Sequence, residues 1–157
     1  MATGRIYTIP FSKISVAAVQ DLWNVAATAT MAFELHSISL GCETATAAEE
    51  VSIQIKRLTA TVTNGTGGAV VTPVPNPSSS TAATITCRCN DTARGSTNGT
   101  TTVLFSDTWQ LTNGYVYQWA PEDRPMFVLS QNLLIGLETA PGAAHVSSGV
   151  ITVAELL

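Results

Sequence analysis

Val51-Ser52-Ile53-Gln54-Ile55-Lys56-Arg57-Leu58-Thr59-Ala60-Thr61-Val62 decides the fold class. Apolar and polar residues alternate with period two, the repeat of a strand with one face against a core, and most of the apolar positions are β-branched. The apolar parity changes along the run: Val51, Ile53 and Ile55 hold one phase, Leu58, Ala60 and Val62 the other. A one-residue change of phase sends side chains to the opposite face, so a bulge or bend is expected near Lys56 and Arg57.

The same texture extends outward in both directions. Strands are expected over Arg5 to Ile9, Ile14 to Val25, Met31 to Cys42, Val51 to Thr63, Ala83 to Cys89, Thr101 to Leu111, Tyr115 to Trp119, Leu133 to Thr139 and Gly149 to Glu155. Gly, Pro, Asn and Ser clusters separate them. Only Glu43 to Glu50, rich in Ala and Glu, offers a helical turn. The chain reads as all-β, a jelly-roll β-sandwich with long Gly, Pro and Ser loops, because no helix is long enough for a parallel crossover. Its 157 residues suit one domain, residues 1–157. Thr63 to Thr81 and Asn90 to Thr100 read as loops, the first expected to be the most mobile internal segment.

Asn113-Gly114 is a favoured dipeptide for two-residue hairpin turns. That turn would set Leu111 opposite Val116 and Trp109 opposite Gln118, with Tyr115, Tyr117 and Trp119 together on the other side. Such a ring strip fits burial, in the core or between subunits, or a sugar-stacking platform.

Only 11% of residues are charged, while Ser and Thr make up roughly a quarter, so the surface is coated with hydroxyls. A net charge of −4 and a scattered set of seven basic residues exclude the footprint of a nucleic-acid binder. Mean hydropathy is +0.25, yet no apolar run of about 18 residues could span a membrane. The start, Met1-Ala2-Thr3-Gly4-Arg5, lacks the pattern of a secretory signal, and the chain is expected to remain where it is made.

Catalytic signals are sparse, so no enzyme is expected. His36 and His145 stand apart, and no Gly-x-Ser-x-Gly elbow accompanies them. Gly65-Thr66-Gly67-Gly68 lacks the Lys and the helix of a phosphate cradle. Glu49-Glu50 and Glu122-Asp123 read as solvated, or as partners for arginines such as Arg57 and Arg124. Cys42, Cys87 and Cys89 read as free thiols. Cys87 and Cys89 point the same way from a strand, where a disulfide would strain it, and a metal site of ordinary ligand count is not provided. No cofactor is expected.

Certain residues carry a more specific signal. They are Gly4-Arg5-Ile6-Tyr7, Gln20-Asp21-Leu22, Leu35-His36-Ser37-Ile38, Glu49-Glu50 ahead of a strand reaching Arg57, and the Gly-rich then Pro-rich loop. The second half adds Trp119, Pro121-Glu122, Arg124-Pro125, Leu137, Ala140-Pro141, Ser148-Gly149 and Val153-Ala154-Glu155-Leu156. Taken together the chain resembles a family of small proteins encoded by tailed bacteriophages and prophages. The resemblance implies a jelly-roll virion protein, a head decoration or cement protein made in the host cytoplasm and seated as a homotrimer on the capsid exterior. It implies the major capsid protein as partner and no catalytic residues. Cys42, Cys89 and the apolar Leu156-Leu157 depart from the family pattern. The expected capsid contact is Gly4, Arg5, Ile6 and Tyr7, and the expected subunit interface is Tyr115, Tyr117, Trp119 and Arg124. The alternative is a glycan-binding β-sandwich of a tail or adhesive structure, with the ring strip as its platform.

Overall fold

The computed structural model describes residues 5–45 and 47–156. Fourteen strands follow in chain order. The first half holds β1 (Arg5–Val16), β2 (Gln20–Ala26), β3 (Ala32–Cys42), β4 (Glu50–Leu58), β5 (Val62–Thr63), β6 (Ala69–Val71) and β7 (Val74–Pro75). The second holds β8 (Thr86–Asp91), β9 (Ser96–Thr97), β10 (Thr101–Gln110), β11 (Tyr115–Gln118), β12 (Met126–Phe127), β13 (Asn132–Leu137) and β14 (His145–Leu156). The described residues contain no helix, so the helical turn expected within Glu43 to Glu50 does not form. That segment instead carries the chain from one sheet to the other. It is tied down by the Thr44 hydroxyl, which accepts from the Val146 N–H at 2.8 Å, and by Glu49, whose carboxylate takes the Gly142 N–H.

Two antiparallel sheets form a sandwich. Sheet A runs β11-β3-β14-β1-β7, with β12 also on β3, and sheet B runs β10-β4-β13-β2-β8-β6. The expected strand from Ile14 to Val25 is therefore two strands in different sheets, broken at Ala17-Ala18-Val19. Chain-adjacent long strands lie in opposite sheets, except β4 and β10, which pair directly. Between those two, residues 59–100 make an excursion that adds β8 and β6 to one edge of sheet B and β7 to the matching edge of sheet A. It also lays the small β5–β9 ribbon over the outer face of sheet B. Both expected long loops thus contain short paired strands. Gly65, Gly67 and Gly68 permit this: at each, a side chain would run into residues 89–93 on or beside β8, and Gly67 also has a positive φ of 89°.

The core lies between the sheets. Tyr7, Ile9 and Phe11 of β1, Phe33 and Leu35 and, past an irregularity at His36, Ile38 and Leu40 of β3, Val51, Ile53 and Ile55 of β4, and Ile151 and Val153 of β14 enter it at alternate positions. Trp23 pins the layers together, its Nε1–H donating to the Ile9 carbonyl at 3.0 Å while its ring packs on Phe11.

The phase change that opened the sequence analysis has another cause than a bend in β4. β4 pairs with β13 without interruption from Ile53↔Leu137 to Leu58↔Asn132, and the bulge lies in its other neighbour, β10, between Val103 and Phe105. Leu58 sits on the outer face, as does Leu134 opposite Lys56, and both are buried there by the excursion. The apolar pattern changed because β4 is covered on both faces at that end.

Candidate interaction surfaces

Residues 5–7 belong to β1 and are not a free arm. Gly4 lies outside the described residues. Arg5 and Ile6 are half-buried, and Tyr7 is fully buried, its hydroxyl donating to the Thr81 carbonyl at 3.0 Å. Tyr7 is flanked by Val153 on one side and Pro75 on the other, so its ring is not presented to any partner. Of the four expected contact residues, Arg5 and Ile6 retain exposed surface.

The ring strip also turns inward. The expected hairpin at Asn113-Gly114 does not form: β10 belongs to sheet B and β11 to sheet A, where it pairs with β3 from Tyr115↔Leu40 to Gln118↔Ser37. A Gln110-to-Asn113 turn, with its N–H to carbonyl bond at 3.0 Å, carries the chain across the sandwich instead. Tyr115 and Trp119 are buried and Tyr117 is half-buried. Tyr117 packs on Phe105 at 4.6 Å and on Trp119 at 4.7 Å, closing the side of the sandwich where β10 and β11 form the two edges. The Tyr115 hydroxyl donates to Asp107 at 3.0 Å, and burial followed by that carboxylate raises its pKa. These rings serve the chain's own core, which removes the platform of the glycan reading.

Arg124 is likewise occupied within the chain. It pairs with Glu34 at 3.0 Å, and Glu34 also meets His36 Nε2 at 2.7 Å. Glu122 and Asp123 are exposed, as their solvated reading expects, while Arg57 donates to the Met126 carbonyl at 2.7 Å and lies over the Phe127 ring.

What these elements do present is aliphatic. Val116, between the buried rings of β11, is 73% exposed, and Met126, Val128 and Leu129 on and after β12 are about half exposed. Val116 pairs with Ser39 and Met126 with Glu34, so both rise from the outer face of sheet A beside β3. The period-two pattern contained this signal: if the rings at 115, 117 and 119 face inward, Val116 must face out.

The outer face of sheet B carries most of the buried charge. Asp21, fully buried on β2, accepts from Arg94 Nε at 3.0 Å and from the Gly95 N–H at 2.7 Å. Arg94 reaches on to both oxygens of Glu138, and Lys56 approaches Glu138 at 2.8 Å. Arg94 and Lys56 hold the Glu138 carboxyl below its ordinary value, whereas burial pushes Asp21 up despite its donors. A second clamp joins Arg88 to Asp91 through two bonds, at 3.0 and 2.7 Å, with the Gly68 N–H on the same carboxylate. The Arg94 pairs fasten the excursion to the sheet, and the Arg88–Asp91 clamp holds β8 to the Gly68 turn within it.

Neither histidine joins a constellation. His36 is half-buried beside Glu34, and His145 is buried in β14 with its ring edge-on to Trp109. Among the described residues no group of three or more His, Cys, Asp or Glu is placed to hold a metal ion. Nor is any helix among them long and apolar enough to cross a membrane. Comparison with protein-family models, with curated proteins and with solved structures finds no match for the chain.

Proposed function

We propose that this chain is a structural virion protein that decorates the exterior of an expanded phage head, binds the major capsid protein as a homotrimer and stabilises the shell. The observation that carries the reading is the exposure of the aliphatic side chains Val116, Met126, Val128 and Leu129 on and just after β11 and β12, the strands that edge sheet A beside β3. On a hydroxyl-rich surface with few charges, these aliphatic residues are the seam we assign between copies.

The strand orders support the same reading. Apart from β4 and β10, the strands of β1-β14-β3-β11 and β2-β13-β4-β10 alternate between the two sheets along the chain, an order that supports the jelly-roll arrangement we propose from the resemblance to phage virion proteins. Mass spectrometry of purified virions tests the proposal. The expected result is this chain at a fixed ratio to the major capsid protein, and its absence from washed particles overturns the reading.

A further inference from the structure

The inward face of β8 carries two thiols that a decoration role does not use. Cys87 and Cys89 stand two residues apart, so both side chains leave the strand on one side, and their Sγ atoms lie 3.9 Å apart in the core. Both are free. The hydrogen bond to Cys89, followed by burial, raises the Cys87 pKa, so this thiol holds its proton at neutral pH.

The strand geometry opposes a disulfide. Bonding would bring the sulfurs about 1.9 Å closer. Backbone pairing resists this on both sides: Cys87 lies between Val25 and Val71, and Cys89 between Trp23 and Ala69. A single larger atom fits the gap without such closure. For bonds of about 2.3 Å to each sulfur and the angle of about 95° of a pyramidal trivalent centre, the sulfurs need approach by only about 0.5 Å, against about 1.9 Å for a disulfide. The ligand count that argues against a four-coordinate ion does not apply to a centre satisfied by two sulfurs.

Access and charge narrow the class. Cys89 lines a groove of about 450 Å³ together with Phe11, Ile14, Ala69 and Val71, and no charged residue lines it. A cavity of about 150 Å³ already takes a benzene ring. A monovalent soft cation on two thiolates would leave a net negative charge in this apolar setting, which is costly. Trivalent arsenic bearing one aryl group leaves a neutral product.

We propose that Cys87 and Cys89 form a dithiol site for a trivalent aryl-arsenical that enters through this groove. Two As–S bonds form as the arsenic–oxygen bonds break. The two thiol protons leave with that oxygen as one water, and arsenic and sulfur keep their oxidation states.

Phenylarsine oxide added to the intact folded protein tests the site. Expected are one adduct per chain, heavier than the protein by the reagent less one water, and a fall in titratable thiols from three to one. Cys42→Ala should leave the adduct unchanged, with its thiols falling from two to none, while Cys87→Ala and Cys89→Ala should each weaken binding on the order of 100-fold or more, because the second sulfur acts at high effective concentration. The adduct should also raise the melting temperature, since it holds the native pair. Should either alanine variant fail to fold, the wild-type adduct decides: a small dithiol should strip it and excess monothiol should not. An adduct that survives Cys89→Ala, forms only in denaturant or is removed by a monothiol overturns the proposal.

Discussion

His145 shows how little its chain neighbours say about where one residue sits. Ala143, Ala144 and the preceding Pro141-Gly142 suggest a turn, but β14 begins at His145 and places its ring in the core with neither nitrogen hydrogen-bonded. Its position was not legible because β14 runs four residues further than the alternation from Gly149 indicates. Burial holds the imidazole below its ordinary value, and the nearby Ala143 backbone and the charge of Glu49 offset this only in part. Above about pH 6.5 the ring is neutral in both folded and unfolded chains. As the pH falls below that, the unfolded chain takes up a proton that the folded one resists, so stability should drop until the lowered pKa is passed. Urea unfolding at a series of pH values should show this slope, and His145→Gln should flatten it. An unchanged slope in the variant would assign the pH dependence to other groups.

At the scale of elements, the nine apolar segments were legible as strand sequence because most alternate over one buried face and the rest, such as β2 and β13, are buried throughout. The excursion between β4 and β10 was not. Its short strands β5, β6, β7 and β9 have two or three residues each, too few for a period, and they are held by long-range pairs such as Arg94 with Asp21 and Glu138. Removing Arg94 leaves a fully buried carboxylate at Asp21 without its cation, so Arg94→Ala should cost about 3 kcal/mol in urea unfolding. A loss below about 1 kcal/mol would mean that the Gly95 N–H alone suffices for Asp21. The clamps also relocate the expected mobility. Residues 69–75 are paired to β8 and β1, whereas Pro77 to Ala83 has no strand pairing. Limited proteolysis should cut first between Pro77 and Ala83. First cleavage within residues 62–71 would show that the flap opens before that segment does.

For the whole molecule, the sandwich was legible and the surface was not. Sequence alone placed rings at 115, 117 and 119 on one face, but whether that face met the core, a second subunit or a sugar depended on which sheet β11 joins. Its pairing with β3 sends the rings inward and leaves Val116 exposed, so the proposed seam between copies moves by one residue. Val116→Glu and Met126→Glu should each shift a trimer toward monomer in light scattering while leaving the circular dichroism spectrum intact. A trimer unaffected by both would place the seam elsewhere. Shell stabilisation follows from linkage: a protein that binds only the assembled capsid contributes about 2.7 kcal/mol per site at 100 times its dissociation constant. The most direct measurement adds the purified protein to cognate expanded capsids lacking it and follows their thermal disassembly. Saturable binding at a fixed ratio to the capsid subunit, with a higher disassembly temperature, is the expected result. An unchanged disassembly temperature with no bound protein would contradict the decoration role.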